Sequence, residues 1–424
     1  MIILPRLSLD ILIYTDLLMQ SSQYLFAYQQ RFASIQIIFW GHPYTSSNPF
    51  IDYYISSSSF EPINPNYGRN HQFTEQLILF DSLSFQLYFP EGYSTKKTNE
   101  TLPELSLVDQ RLQFIEKVFI PKAFTIHGDP LIFHNITTIN DFTSLFPSFS
   151  KENENKKEIS LSSFHFYGIL QSIMKMHPLI DEMITRLLKE DPMAIIVFLR
   201  NSPQQFHWQL SFQRRLSSFL SMDSLRNRIF FVNGMKSIEY SNFLCSLDVI
   251  LDPFPFGGGV TMCDAIAGSC SHRKNSQNVS REKWYDEFHS IPYVTMMDLQ
   301  SIHRIGVGIG KHIQQRQQSN SSNFISIIED HRSTNADILK FIGPKLESEE
   351  TRSIWLNFNF FSMELIEMYA QEAIRLAILS NQRFDEPYYL GPREEKEKRN
   401  AYEIIYQEEN AVNEWKTFLH RVVS

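Results

Sequence analysis

Strand-like and helix-like segments alternate regularly between residues 178 and 296, and this alternation constrains the fold more than any other feature. Short runs rich in β-branched and aromatic residues predict strands, whereas apolar residues recurring three or four positions apart predict helices. The predicted helices are 178–190, about 204–222, 237–247 and 261–268, and the predicted strands are 193–199, 228–232, 248–252 and 292–296. Strands that alternate with helices predict a parallel, doubly wound α/β sheet.

The rest of the chain divides into segments of different character. Residues 9–14 and 35–40 are apolar runs that predict two further buried strands. The periodicity weakens from about 82 to 160, where the charged stretch 151–157 predicts a domain junction. We therefore predict a first domain at 1–150 and a second at 151–380.

Two later segments interrupt or extend this pattern. Residues 269–290 are polar and separate a predicted helix from the next strand, which predicts a surface insertion. A helical rhythm begins at 353, and 393–424 predicts an exposed, charged helix, so that 381–424 forms a helical extension.

Composition excludes several classes of protein. Of the 424 residues, 43% are apolar and 14% aromatic, enough for packed cores rather than disorder. The net charge of -8, without a large basic block, argues against nucleic acid or an anionic membrane as the main partner. Three cysteines, Cys245, Cys263 and Cys270, lack metal-ligand or redox spacing and fit a reducing compartment. The apolar start of the chain is too short to span a bilayer and is interpreted as a strand.

The sharpest local motif is the segment DVILDPFPFGGGVTMCDAIAG, residues 248–268. A buried strand, a proline-aromatic turn and three glycines precede a helix, an arrangement in which backbone N–H groups and the helix N-terminus can bind a phosphate. A tight turn followed by a helix capped by Thr261 and Asp264 explains the same residues without a ligand. The loop matches neither GxxxxGK[ST] nor GxGxxG, which disfavours a nucleoside triphosphatase or a dinucleotide dehydrogenase.

Four motifs in order resemble the O-linked N-acetylglucosamine transferase family and its relatives. They are the glycine loop LDPFPFGGGVTMCDAIAG, the segment 33–77 with its GHP turn, IDY strand and EQL element, QSIMKMHP at 171–178, and IPYVTMMDLQSIHRIG at 291–306. The resemblance covers roughly residues 8–310, with gaps at 82–160 and 269–290. An order shared by four motifs is more specific than any one of them.

The resemblance implies a GT-B architecture, in which two Rossmann-like doubly wound domains face a cleft. It implies transfer of N-acetylglucosamine from UDP-GlcNAc to serine or threonine hydroxyls of proteins, with inversion and without a cofactor or metal. The chain contains no DxD motif, which also disfavours a metal-bridged donor. Some relatives use GDP-fucose instead. We expect a cytoplasmic or nuclear location and neither nucleic acid nor a membrane as partner, and the sequence leaves the oligomeric state open.

Site residues follow from the resemblance, position by position. Lys175 matches the lysine that meets the donor diphosphate, where an ammonium stabilises the leaving group. One of Gln171 and Ser172 would hydrogen-bond the donor, and Tyr240 would stack on the base, although it also fits a core stripe with Phe243, Leu244 and Leu247. The remaining candidates are the loop residues Gly257, Gly258, Gly259, Val260, Thr261 and Asp264, and the cleft-lining turn Gly41, His42 and Pro43. His42 is a candidate general base, with a structural hydrogen bond as the alternative.

The chain departs from the family pattern in ways that leave other functions open. It begins after the strand-helix unit that precedes LDILIY in the family, and it lacks a tetratricopeptide array, so we expect an incomplete first domain and low solubility. Where animal members have histidine and threonine, this chain has Gly259 and Val260. A non-catalytic sugar-nucleotide-binding or scaffold protein is the second hypothesis, and a sugar-nucleotide epimerase of GT-B type is the third.

Overall fold

A computed structural model of the chain contains two parallel β-sheets with helices packed against them. The structure describes residues 8–15, 17, 27–28, 30–39, 45–61, 73–85, 87, 107–121, 138–146, 163–200, 205–235, 237–254, 256–267, 269–271, 288–297, 308–312, 325–329, 363–381 and 409–423.

The first sheet has four parallel strands in the order in which they occur along the chain. They are β1 (Leu9–Tyr14), β2 (Ala33–Phe39), β3 (Tyr53–Ser57) and β4 (Gln76–Phe80). The predicted strands 9–14 and 35–40 correspond to β1 and β2. Isoleucines from adjacent strands lie in register, as in the pairs Ile11 with Ile35 and Ile55 with Ile78, so one face of the sheet is apolar.

The second sheet has six parallel strands and the doubly wound order of a dinucleotide-binding fold. The strands are β5 (His165–Ile169), β6 (Ala194–Arg200), β7 (Ile229–Asn233), β8 (Val249–Leu251), β11 (Tyr293–Met297) and β12 (Ile325–Glu329). Their spatial order is β12-β11-β8-β5-β6-β7, so the direction of winding reverses between β5 and β8. The predicted α/β class and doubly wound parallel sheet are confirmed.

Helices connect and cover the strands of the second sheet. Before β8 these are α3 (Pro178–Glu190), α4 (Gln205–Leu216), α5 (Met222–Arg228) and α6 (Ser237–Ser246), and later α7 (Val260–Ala267) and α8 (Met363–Asn381). The predicted single helix near 204–222 is wrong, because it ends at Leu216 and Ser221 caps a new helix by accepting a hydrogen bond from the Ser224 amide. The other predicted helices in this part agree with the structure within two residues.

The sheet lies between two apolar clusters. On one side, the sheet packs against α3, α4 and α8, and this cluster includes Ile196 of β6, Ile180 of α3 and Tyr369 of α8, all fully buried. On the other side, Val197 and Ile250 pack with Phe243 of α6 and with phenylalanines from residues 107–146. Because both faces are covered, the strands carry continuous apolar runs rather than alternating ones.

Two short helices lie where the sequence shows weak periodicity. α1 (Leu107–Phe114) continues as a π-helical turn (Ile115–Phe119), and α2 spans Ile139–Thr143 with Thr138 and Asp141 forming a capping box. Phe119 packs edge-on against Phe142 and Phe230, so this region adds to the core of the second sheet. The charged stretch 151–157 lies outside the described residues, and the domain boundary at 150 stays a prediction.

The C-terminal helix α9 (Glu409–Val423) packs on the first sheet. Phe418 is 9% exposed, and Trp415 lies edge-on to Phe39 and Phe80 at centroid distances of 5.0 and 5.5 Å. The helix is therefore not exposed on all sides as predicted, because its apolar stripe covers the isoleucine face of the sheet.

The polar segment 269–290 begins and ends with the strands β9 (Ser269–Ser271) and β10 (Phe288–Ser290), which pair antiparallel. The residues between them lie outside the described part. Across the helices that the structure describes, none combines the length and apolar character needed to cross a bilayer.

Candidate functional site

The glycine loop and the segment with Lys175 meet at the switch point of the second sheet. Residues 170–176 follow β5 and residues 252–259 follow β8, and these two strands are hydrogen-bonded neighbours with Tyr167 opposite Val249. Because parallel strands bring their carboxyl ends to one edge, both segments lie in the crevice where doubly wound sheets bind ligands.

The turn that carries Lys175 is fixed on both sides. Residues Ile173–Lys175 form a 3-10 turn, in which the Lys175 amide donates to the Ser172 carbonyl at 2.9 Å. Beyond it, Arg215 donates to the Met176 carbonyl at 2.8 Å and forms a two-pronged ion pair with buried Asp181, also at 2.8 Å. This clamp joins α3 and α4 to the turn and sets the position of the lysine.

The amine of Lys175 points into the glycine loop. Its Nζ donates to Gln171 Oε1 at 2.9 Å and to the Gly257 carbonyl at 3.1 Å, and it lies 4.4 Å from the centroid of the Phe256 ring. Burial lowers the pKa of Lys175 to about 8, although the negative charge of Asp252 opposes that change. At neutral pH the site therefore presents a protonated, half-buried amine.

Of the two polar candidates after β5, Gln171 makes the contacts. Its side chain is 5% exposed, accepts from Lys175 and donates from Nε2 to the Thr261 hydroxyl, so it links the turn to the start of α7. Ser172 is half-buried and contributes its backbone carbonyl to the turn.

Asp252, which the sequence analysis did not single out, lies at the centre of the site. The side chain is 3% exposed, and its oxygens accept from the Gly258 amide at 2.7 Å and from the Thr295 hydroxyl at 2.8 Å. Burial raises the pKa of Asp252 to about 6, and these two hydrogen bonds and Lys175 act against that rise. Tyr369 of α8 donates to the Asp252 backbone carbonyl at 2.9 Å and so fixes the main chain of the same residue.

The N–H groups of the glycine loop are not equally accessible to a ligand. The Gly258 N–H points inward to Asp252 and is not directed at a ligand in this conformation. Gly259, Val260 and Thr261 lie at the start of α7, where the first N–H groups of a helix have no partner within the helix. Val260 is 45% exposed, so this helix end is open to solvent.

The structure describes only some of the other candidate residues from the sequence. Asp264 lies in α7, and its side chain is outside the described part of the structure. Tyr240 is half-buried on α6, with its ring 6.3 Å from that of Phe243, while Phe243, Leu244 and Leu247 are buried core residues. Gly41, His42 and Pro43 lie outside the described residues, so the role of His42 stays a prediction.

Residues 45–48 are anchored by a buried carboxylate. Glu75 is 3% exposed and accepts from the Ser46 amide at 2.8 Å and from the Thr45 hydroxyl at 2.7 Å. The Thr45 hydroxyl also accepts from the Thr74 amide at 3.0 Å. The EQL element and the TSSN residues of the first motif are therefore parts of one hydrogen-bonded unit beside the start of β4.

Among the described residues, no group of three or more histidine, cysteine, aspartate or glutamate side chains is arranged to hold a metal ion. The absence of a metal from the reaction stays a prediction. What the described site provides is an amine, a helix start and buried polar groups, which together suit an anionic ligand.

No protein-family model matches the chain, and no curated protein sequence matches it. Among solved structures, a variant of the O-GlcNAc transferase of Thermobaculum terrenum is 14% identical, with a TM-score of 0.46 over 95% of this chain and 55% of its own. Sucrose-phosphate synthase of Thermosynechococcus elongatus is 9% identical, with a TM-score of 0.34 over 88% of this chain and 59% of its own. A trehalose-6-phosphate synthase is 7% identical, with a TM-score of 0.37 over 92% of this chain and 66% of its own.

The chain thus spans 55–66% of the length of these three proteins. At such low identities and TM-scores the likeness concerns the α/β fold and says nothing about the site.

Replacing Gly258 by alanine is expected to distort the loop. A Cβ atom there would lie 2.6 Å from Gln171 Nε2 and would also overlap the Met262 side chain, so the loop or Gln171 must move. Overpacking of this kind lowers the free energy of unfolding by about 1–3 kcal/mol. Urea unfolding measures the loss, with Val260→Ala as the control, since Val260 is 45% exposed. Equal stability of the two variants would contradict the packing around Gly258.

Proposed function

We propose that this site binds the diphosphate of a sugar nucleotide and that the chain acts as a glycosyltransferase. The observation that carries the proposal is the meeting of Lys175, Gln171 and Thr261 with the glycine loop at the switch point. An amine beside a helix N-terminus attracts a diphosphate, and this crevice is where doubly wound sheets place their ligands.

The finer proposal is that the donor is UDP-GlcNAc and the acceptor a serine or threonine hydroxyl of a protein. It is supported by the four motifs that resemble the O-linked N-acetylglucosamine transferase family, two of which, QSIMKMHP and the glycine loop, supply the residues at this crevice. The GT-B arrangement of two domains around a cleft belongs to the same proposal.

The chemistry requires stabilisation of a leaving group. In an inverting transfer the acceptor oxygen bonds to the anomeric carbon while the bond from that carbon to the diphosphate oxygen breaks, and negative charge grows on the diphosphate. Lys175 and the amides at the start of α7 would stabilise this charge, because fixed donors in a site with little water act strongly on developing charge. His42 remains our candidate for accepting the hydroxyl proton.

Calorimetric titration at pH 7 with UDP, UDP-GlcNAc and GDP-fucose tests the proposal. We expect UDP to bind the wild-type chain and Lys175→Ala to weaken binding by about 10- to 100-fold, because hydrogen bonds to charged groups contribute about 1.5–3 kcal/mol. Lys189→Ala is the matched control, since Lys189 is exposed on α3 and away from the glycine loop. Equal affinity of UDP for wild type and Lys175→Ala would remove the assigned site.

Turnover separates the remaining hypotheses. Release of UDP from UDP-GlcNAc that depends on an acceptor peptide supports the transferase. Binding without turnover, even with abundant acceptor, would favour a sugar-nucleotide-binding or scaffold protein. Tighter binding of GDP-fucose than of UDP-GlcNAc would reassign the donor to that of the fucose-transferring relatives.

A further inference from the structure

The peptide unit between Gly257 and Gly258 is held between two groups of opposite charge. Its N–H donates to Asp252 Oδ1 at 2.7 Å, and its carbonyl oxygen accepts from Lys175 Nζ at 3.1 Å. The positive end of the peptide dipole thus faces the carboxylate and the negative end faces the ammonium. Each charged side chain therefore stabilises the peptide orientation that the other one needs.

Both side-chain oxygens and the backbone carbonyl of Asp252 accept hydrogen bonds. Its second oxygen accepts from Thr295 of β11, and Tyr369 of α8 donates to its backbone carbonyl. In the described part of the chain the buried tyrosines Tyr293 and Tyr369 also face Asp252: burial, and then the charge of Asp252, raise the pKa of both hydroxyls, so both are neutral at pH 7. A buried carboxylate is costly unless it is paired and hydrogen-bonded, so Lys175 and the Gly258 amide offset the cost of its ionisation.

We propose that Asp252 is a positioning residue of this site: it fixes the glycine loop through the Gly258 amide and provides the counter-charge that keeps the Lys175 amine protonated before an anionic ligand arrives. The part that concerns the ligand rests on the proposed function. The coupling of Asp252 with Lys175 is a property of the ligand-free protein and can be measured there.

The pKa of each partner gives the direction of the expected changes. Burial lowers the pKa of Lys175 to about 8 and the charge of Asp252 opposes this, so removal of that charge must lower the pKa further. The pKa of Asp252 is raised to about 6 by burial, so below that pH the Gly258 amide donates to a neutral carboxyl group instead of a carboxylate.

NMR of the ligand-free protein tests the coupling directly. The Cε resonance of Lys175, identified by its loss in Lys175→Arg, should titrate near pH 8 in the wild type and at a lower pH in Asp252→Asn. Asp191→Asn is the matched control, because Asp191 is a buried carboxylate at the far end of α3 that bonds to Tyr167 and His165 instead. An unchanged Lys175 midpoint in Asp252→Asn, or an equal shift in Asp191→Asn, would overturn the proposal.

A second measurement uses only the wild-type chain and so does not depend on a variant that folds. The Gly258 amide proton should shift with a midpoint near pH 6, because its acceptor gains a proton there. An amide resonance without any inflection between pH 5 and pH 7 would also overturn the proposal.

Titration with UDP keeps this inference distinct from the proposed function. If Lys175 must be protonated to bind an anion, the affinity of the wild type should fall about tenfold from pH 7 to pH 9, as the protonated fraction falls. A shifted Lys175 midpoint without any binding of UDP would uphold the coupling and remove the donor site. Binding of UDP with an unshifted midpoint would do the reverse.

Discussion

Replacing Arg111 by methionine is expected to lower the free energy of unfolding by about 3–5 kcal/mol, because the change leaves a buried carboxylate without its charged partner. Arg111 is 3% exposed and donates to fully buried Asp248 at 2.7 Å and to the Phe164 carbonyl at 3.2 Å. Burial lowers the pKa of Arg111, and the charge of Asp248 opposes this, so Asp248 helps to keep the buried guanidinium charged. The contact joins α1 to the start of β8 at the centre of the sheet.

Urea unfolding followed by circular dichroism measures the loss. The matched control is Arg186→Met, because Arg186 pairs with Glu182 and Glu367 at the surface, where an ion pair contributes about 0–1 kcal/mol. Adding Asp248→Asn to Arg111→Met should recover part of the stability, since no buried charge then remains. If Arg111→Met is as stable as Arg186→Met, the buried pair is not what holds α1 on the sheet.

Replacing Trp415 by alanine is expected to lower the stability of the first sheet by about 3 kcal/mol, in the range for truncating a packed aromatic side chain. Trp415 contacts Phe39 and Phe80 edge-on, and its indole N–H donates to the Ser84 carbonyl at 3.0 Å. The variant therefore loses packing and also leaves a carbonyl without its donor.

Hydrogen exchange measured strand by strand locates this effect. Amides of β2 to β4 should exchange faster in Trp415→Ala, while those of β6 to β8 should keep their protection, because α9 packs on the first sheet and, among the described residues, belongs to neither apolar cluster of the second. Val412→Ala is the control, because Val412 lies on the same helix and is 40% exposed. Equal loss of protection in both sheets would show that they unfold as one unit.

The strands and helices around the second sheet could be predicted from the sequence because their signals are local. Helix α3 begins at Pro178 and ends at Glu190 as predicted, since the proline suits a first helical position and the apolar residues repeat along one face. Strand β5 was missed because His165 and Gly168 interrupt its apolar run. Its conformation comes from pairing with β6 and β8 on both sides, which no local pattern records.

Helix α1 was missed for a similar reason. It contains an arginine on its buried side, so its pattern does not match an amphipathic helix. The ion pair with Asp248, which lies 137 positions later in the chain, makes that burial possible. Only the folded structure brings the two residues together.

Within the site, Lys175, Gln171 and Thr261 were predicted from the motifs, and the structure brings them together. Asp252 was missed although its position carries a signal, an acidic residue at the carboxyl end of a buried strand just before the glycine loop. The sequence does not show which group accepts a hydrogen bond from the Gly258 amide. Loop glycines alone do not reveal whether their N–H groups point outward or inward.

The docking of α9 on the first sheet has a consequence for folding during synthesis. Glu414 accepts from the amides of Asp81 and Ser82, residues more than 330 positions earlier. A chain leaving the ribosome makes β1 to β4 before the second sheet, yet the helix that covers their isoleucine face is made after it. The first sheet is thus begun before the second sheet and completed after it, and its uncovered apolar face is open to aggregation and to chaperones in the interval.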